Sequence, residues 1–373
     1  MLWLCNCHFS CLQWPSDSFF GKLGNLVELN MSRSKIKEFQ PDMKHLTCLK
    51  ILKLDGCEVE KTPDFTGAHS LEKVSFRSCS KLVEVYVSIG SLKRLVELDF
   101  YSCSELMELP SSICGLTSLE VLNLFSCMKL KELPSSICGL TSLEVLNLGS
   151  CMKLKELPAK LGDLGKLREL NVRATAITNM PFSLGCLRNL KNLDLSSLRS
   201  TRTTRGCFYI QDLPFSLCDL SNLKNLNLDD WQNLRVLKDL PPTLESLSAG
   251  NCVSLEKIAD ISTLQRLQKL NIPNCKNLAP IPGLETLENL QLLEIRNCSR
   301  LTPVENWFQS YTLTLLHYAV RTKAKPTALQ ESTDDDEAAA DEGSASPAIA
   351  ADKGSASPAF QLFCFFPLFA HRQ

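Results

Sequence analysis

The sequence predicts an α/β repeat solenoid: a horseshoe with a concave parallel β-sheet and short helical or 3₁₀ segments on its convex side. Three observations point there. Residues 109–134 and 133–158 are one string displaced by 24, differing only at Phe125 against Gly149. A skeleton L-x-x-L-x-L-x-x-C-x-x-L, closed by a Leu-Pro or similar corner, runs along most of the chain. Its starts at Leu2, Leu26, Leu49, Leu71, Leu95, Leu119, Leu143, Leu167, Leu190, Leu223, Leu244, Leu267 and Leu290 are separated by 21–24 residues, with a single interval of 33. Self-similarity at such a period marks a stack of short units, each unable to bury its apolar face alone.

Within each unit the last two leucines of L-x-x-L-x-L are two apart and share one face of an extended strand. In the unit beginning at Leu95, Leu98 and Phe100 point inward, while Glu97, Asp99 and Tyr101 point to solvent. The pattern is similar to that of leucine-rich repeats, about 13 of them over residues 1–320, the first degenerate. About fifteen residues remain for the return path, and segments such as Pro110–Leu116 are too short for long helices. One or two turns of helix or 3₁₀ are expected there, started by the proline and the Ser111–Ser112 pair.

Cysteine is structural in this frame. Cys57, Cys79, Cys103, Cys127, Cys151, Cys252, Cys275 and Cys298 each lie eight residues after their unit's first Leu, where the chain leaves the strand. A buried side chain there is expected to satisfy neighbouring backbone groups. Buried free thiols point to a reducing, cytoplasmic setting. Cys5, Cys7, His8 and Cys11 match no zinc module, and the five histidines are scattered, so no metal, cofactor or catalytic site is expected.

The composition excludes several classes. With 44% hydrophobic residues, 22% charged and a net charge of −1, the chain is not wholly disordered. Such a charge, with a pI near 6.5, also argues against a nucleic-acid partner, which needs a surplus of Lys and Arg. No run of 18 apolar residues predicts a membrane span, and Met1–Trp14 lacks the basic start of a secretory signal.

Particular motifs go further. The run Asn25–Phe39 (NLVELNMSRSKIKEF), then Thr62–Phe65 leading to Ser70–Lys73, Cys79–Glu84 and Ser88–Gly90, resembles the early repeats of plant intracellular nucleotide-binding leucine-rich-repeat disease-resistance proteins of the TIR class. The resemblance covers residues 2 to 310 and implies pathogen recognition by the repeats. The chain carries no G-x-x-x-x-G-K-[ST] phosphate loop, so ATP binding and TIR chemistry do not carry over; it reads as the repeat region alone. A generic intracellular leucine-rich-repeat signalling scaffold without an immune role is the alternative.

Recognition is expected on outward strand positions, the third, fifth and seventh of each unit. Lys73, Arg77, Glu97, Asp99, Tyr101, Phe125, Arg173 and Arg296 are the candidate protein-binding residues of the concave face. Adjacent strands lie ~4.8 Å apart, so Arg77, Tyr101 and Phe125 form one ridge, of types that dominate protein binding. The Phe125-to-Gly149 difference is read as a change of ligand choice without a packing cost. The 33-residue interval adds an insertion at 199–208, where Arg199, Arg202, Arg205, Phe208 and Tyr209 could meet an acidic protein face or a phosphate. Trp307–Tyr318 is expected to cap the stack. Residues 321–373, acidic and then Gly-Ser-Ala-Ser-Pro-Ala in duplicate, are expected to be a disordered tail with an apolar end.

Overall fold

Leucines that recur in register have one way to leave water together: their strands must lie side by side. In the computed structural model, which describes residues 1–3, 5, 22–39, 43–198 and 213–301, they do. The chain divides into Met1–Thr322 and Lys323–Gln373, and every described residue belongs to the first unit. The insertion at 199–208, the segment 307–318 and the tail from 321 lie outside the described residues.

The strands are β1 (Leu2–Trp3), β2 (Glu28–Asn30), β3 (Ile51–Lys53), β4 (Lys73–Ser75), β5 (Glu97–Asp99), β6 (Val121–Asn123), β7 (Val145–Asn147), β8 (Glu169–Asn171), β9 (Asn192–Asp194), β10 (Asn225–Asn227), β11 (Val236–Leu237), β12 (Ser246–Ser248), β13 (Lys257–Ile258), β14 (Lys269–Asn271) and β15 (Leu292–Glu294). Thirteen of them form one sheet in the order β1 to β10, β12, β14, β15; β11 and β13 pair separately. Every pairing is parallel, and Leu98 faces Leu122, which faces Leu146 and then Leu170. These residues are at most 1% exposed, and two places further on Phe76 and Phe100 form a second inward pair with rings stacked 5.6 Å apart.

The first unit departs from its expected frame. Leu2 pairs with Leu29, so it holds the inward fourth place of its repeat rather than the first. Its register is displaced by three residues, and the interval to the next unit lengthens accordingly.

Among the described residues the helical segments are all 3₁₀, including Val87–Ser91, Ser111–Gly115, Ser135–Gly139 and Phe182–Cys186. Their i+3 bonds, such as Ile113 N to Pro110 O at 3.0 Å, wind the turn tightly enough to bury Ile113 completely. Pro110, Pro134 and Pro181 enter these turns in extended conformation. As expected, the proline and the Ser pair start the turn, but the serine hydroxyls do not cap it. Ser112 Oγ instead donates to Val87 O at 2.6 Å and Ser136 Oγ to Ser111 O at 2.7 Å, tying each return segment to the unit before it.

The corner that ends each strand uses a left-handed residue: Ser102, Ser126 and Ser150 have φ of 58°, 61° and 60°. The following cysteine is thereby turned inward, and its thiol bonds a carbonyl of the preceding repeat. Cys103 Sγ reaches Phe76 O at 3.0 Å, Cys127 Sγ reaches Phe100 O at 3.3 Å, and Cys151 Sγ reaches Leu124 O at 3.2 Å. Where the frame has Thr175 instead, its hydroxyl bonds Val172 O at 2.8 Å. Seven of the eight ladder cysteines are buried; Cys298, in the last described unit, is only half-buried.

Burial pushes the Cys57 thiol up to about 11 and those of Cys103 and Cys151 to about 12, against ~8.5 in an unfolded chain. As pH rises, the unfolded chain therefore sheds these protons first. Stability fully present below ~8.5 should be lost progressively toward pH 11–12. Urea midpoints should fall between pH 8 and 10, and fall less for a variant with Cys57, Cys103 and Cys151 replaced by Ala; equal falls would contradict the ladder's part in it. Maleimide should label Cys48, Cys114, Cys186 and Cys218, all exposed, in the native protein, and Cys127 only after denaturation.

Candidate protein-recognition surface

Three side chains per repeat leave the sheet on the side away from the leucine core, and the first question is which of them are free to meet a partner. The fifth place is not. Asp99 is only 4% exposed and Asn123 3%. Both turn back along the chain: Asp99 Oδ1 accepts the Tyr101 N–H at 2.8 Å, and Asn123 Oδ1 accepts that of Phe125 at 3.1 Å. Asn147, Asn171, Asp194 and Asn227 do the same for Gly149, Arg173, Ser196 and Asp229. These are Asx turns at the mouth of each corner. Asp99, expected as a contact residue, is therefore an internal anchor. Burial raises its pKa, opposed by the Tyr101 amide and the Arg77 guanidinium.

Two repeats have Ser at the fifth place, and the acceptor then comes from the repeat before. Asp55 Oδ1 takes both Ser75 Oγ at 2.5 Å and Arg77 N at 2.9 Å. Asp229 Oδ1 takes Ser248 Oγ at 2.7 Å and Gly250 N at 2.6 Å. At Asn271 the seventh residue is Pro273, which has no N–H to give, and Asn271 Oδ1 is left buried without a partner.

The third place is outward, and in two neighbouring repeats it is salt-bridged. Lys73 Nζ lies 2.9 Å from Glu97 Oε2, both partly exposed, a pair worth ~0–1 kcal/mol. At the seventh place of the last described repeat, Arg296 pairs with Glu294 at the fifth place of the same repeat. It lies on the exit from β15, five strands beyond β8 in the sheet order, and belongs to no common patch with the other candidates.

The seventh place carries the ridge. Arg77 bonds Asp99 Oδ2 through Nη1 at 2.8 Å, with Cζ 4.7 Å from the Tyr101 ring centroid. Tyr101 and Phe125 stack at 5.5 Å with planes 7° apart. A Cβ placed on Gly149 would come 2.7 Å from Phe125 Cδ2 and 3.1 Å from Arg173 Cγ. The Phe125 ring thus leans over Gly149, and the Arg173 stem borders the same gap. This corrects the reading of position 125 as free of packing cost, because any side chain at 149 would force the ring to shift. Arg199, Arg202, Arg205, Phe208 and Tyr209 lie outside the described residues.

A second polar line was missed from the sequence. Asn251 Nδ2 donates to Asp230 Oδ1 at 2.9 Å, Asn274 Nδ2 to Asn251 Oδ1 at 2.7 Å, and Asn297 Nδ2 to Asn274 Oδ1 at 2.8 Å. These residues hold the left-handed corner, a conformation that Asn tolerates better than most. The recurring Asn-Cys dipeptides at 251, 274 and 297 were the available signal. Among the described residues no group of three or more His, Cys, Asp or Glu could hold a metal ion.

Truncating Asp99 strips a buried amide and Arg77 of their acceptor. Asp99→Ala should cost ~1–3 kcal/mol in urea unfolding, and Asp99→Asn, which keeps an amide acceptor, clearly less. Equal costs would mean that the Asx turn is not what Asp99 provides.

Comparison with known proteins agrees with this geometry. A family model described as a leucine-rich repeat region matches residues 26–174 and 87–258. Solved structures similar in fold include a leucine-rich-repeat protein of Leptospira interrogans (TM-score 0.53, 22% identity, covering 80% of this chain and 85% of that one) and an internalin of Listeria monocytogenes (TM-score 0.55, 16% identity, 81% and 89%). Among curated proteins, the TMV resistance protein N of Nicotiana glutinosa is 33% identical over 93 residues, 24% of this chain and 8% of that protein. The disease resistance protein RUN1 of Vitis rotundifolia is 31% identical over 72 residues, 19% and 5%. The chain thus spans less than a tenth of the length of these curated relatives. With its repeat frame, parallel sheet and corner ladder in agreement with the family model, the chain belongs to the leucine-rich repeat region family.

Proposed function

We propose that this chain is a non-enzymatic protein-recognition module, similar in role to the ligand-sensing repeats of a plant immune receptor, and that it binds a pathogen effector or a guarded host protein. The observation that carries the reading is the stacked pair Tyr101 and Phe125. Two half-buried rings lie side by side on the outward face, which also carries the half-buried Val121 and Val145 at third places. Aromatic residues and arginine dominate binding energy where a partner excludes water. The stretches matching proteins named for disease resistance support the immune half.

The buried, protonated thiols fit a reducing compartment, and the proposed location is cytoplasmic. Among the described residues no helix is long and apolar enough to cross a membrane. The arginine-rich insertion at 199–208 is proposed as a second contact, and residue 320 as the end of the repeat domain, both on sequence grounds.

A two-hybrid screen of pathogen effectors and leaf proteins, followed by calorimetric titration of the interactors, tests the first half. Phe125→Ala should weaken a true partner by tenfold or more, as expected for an aromatic hot spot; unchanged affinity would remove the ridge from the interface. Sequencing the transcript from its 5′ end tests the second. The immune reading expects an in-frame nucleotide-binding module upstream, and its absence would leave recognition standing without the immune role.

A further inference from the structure

The cations of the outward face have been paired off. Lys53 lies 3.2 Å from Glu28, Lys73 2.9 Å from Glu97, and Arg77 2.8 Å from Asp99, while Arg296 is bound to Glu294. Arg173 is the exception. Its side chain forms no hydrogen bond or ion pair among the described residues, and its Nε is buried without an acceptor. A carboxylate exists where Arg77 finds one, on the next strand's fifth place, since Asp194 stands to Arg173 as Asp99 does to Arg77. Arg173 leaves it unused, and Asp194 Oδ1 serves the Ser196 N–H instead.

The neighbours explain the difference. Arg77 lies over Tyr101, the seventh residue of the following repeat; for Arg173 that place is Ser196, which offers no ring. On the preceding side Gly149 leaves a gap into which the Arg173 stem and the Phe125 ring both settle. A guanidinium is thus held by packing beside an aromatic platform with its charge uncompensated. Its planar fork suits a carboxylate. A polynucleotide is a poor match, because one unpaired cation cannot neutralise a run of phosphates.

Resting on the recognition role proposed above, we infer that Arg173 is the carboxylate anchor of this surface. The partner it fits is an extended protein segment with an acidic side chain two residues from an aromatic or large aliphatic one. The acid sits on Arg173 and the apolar side chain on Phe125 and Tyr101. The spacing follows from geometry. Phe125 and Arg173 exit two strands apart, ~10 Å, and the lean of the ring over Gly149 shortens that toward the ~7 Å between alternate residues of an extended peptide.

The test uses the full chain and a phage-displayed random dodecapeptide library as the probe. Selected peptides are synthesised with their acid intact or replaced by the amide, then titrated calorimetrically against the wild type, Arg173→Gln, Arg173→Lys, Phe125→Ala and Tyr101→Ala. Enrichment of an apolar-x-acidic pattern is expected. The acid-to-amide change should cost about tenfold on the wild type and nothing on Arg173→Gln, with Arg173→Lys between. The peptide pair tests the anchor on the unaltered protein, so the result stands even where a variant is unstable. Peptides that need Phe125 or Tyr101 but lose nothing with the amide, or bind Arg173→Gln as tightly as the wild type, would overturn the anchor and leave recognition intact. Peptides indifferent to all four substitutions, or no selection at all, would overturn both.

Discussion

Each strand of this solenoid ends after two or three residues, and the chain must turn through a buried corner without stranding a main-chain N–H or carbonyl. That requirement shapes everything else. The left-handed residue makes the turn, the cysteine thiol covers a carbonyl of the preceding repeat, and an Asp or Asn at the fifth place covers the amide at the seventh. Two of these devices can act between repeats. Where Ser75 and Ser248 cannot reach, Asp55 and Asp229 supply the acceptor from the unit before. An unpaired buried polar group costs about as much as several good contacts contribute, so the corners fix strand register at least as firmly as the leucines do. The ladder also works against long-range disruption, because each unit is bound mainly to its neighbours.

The same requirement limits what the surface can do. A nominal set of three outward residues per repeat falls to two once the fifth place is committed to the turn. Several third places are engaged across strands, as Lys73 is with Glu97 and Asn192 with Glu169, and others hold half-buried apolar side chains such as Val121 and Val145. The seventh places are left as the main freedom for recognition, and that is where Arg77, Tyr101, Phe125 and Arg173 all stand. Their mutual packing means that the surface does not vary one residue at a time. Phe125 needs Tyr101 on one side and an absent side chain at 149 on the other.

The leucine frame was legible because apolar residues at period two in a strand have one reason to recur, and because burial tolerates few substitutes. Leu98, Leu122 and Leu146 fell into one column for that reason. Cys103 and its equivalents were legible as corner residues from their fixed offset. Asp99 was not, since a polar residue at an outward position reads alike whether it serves solvent or its own backbone; the recurrence of Asp or Asn at that single place was the overlooked sign. Leu2 was misframed because two strand residues carry too little pattern to set a register, whereas pairing with Leu29 sets it directly. The Ser111–Ser112 pair was legible as the start of a turn, but the bond from the Ser112 hydroxyl to Val87 O was not, because its acceptor lies 25 residues away in the preceding repeat.

Arg77 and Arg173 show how far a repeat position determines a role. Both are arginines at the seventh place, and both have an aspartate at the fifth place of the next strand. If position alone decided, both would form the same ion pair. The outcome instead depends on the adjoining seventh residues: a tyrosine ahead draws Arg77 forward over its ring and onto Asp99, while a serine ahead and a glycine behind let Arg173 settle back toward Phe125. A half-buried ion pair contributes little once desolvation is counted, so a modest gain in side-chain packing suffices to reverse the choice. In a repeat protein the scaffold prescribes which atoms reach the surface, but it is the side chain one strand away that decides whether a charge is spent inside the molecule or left for a partner.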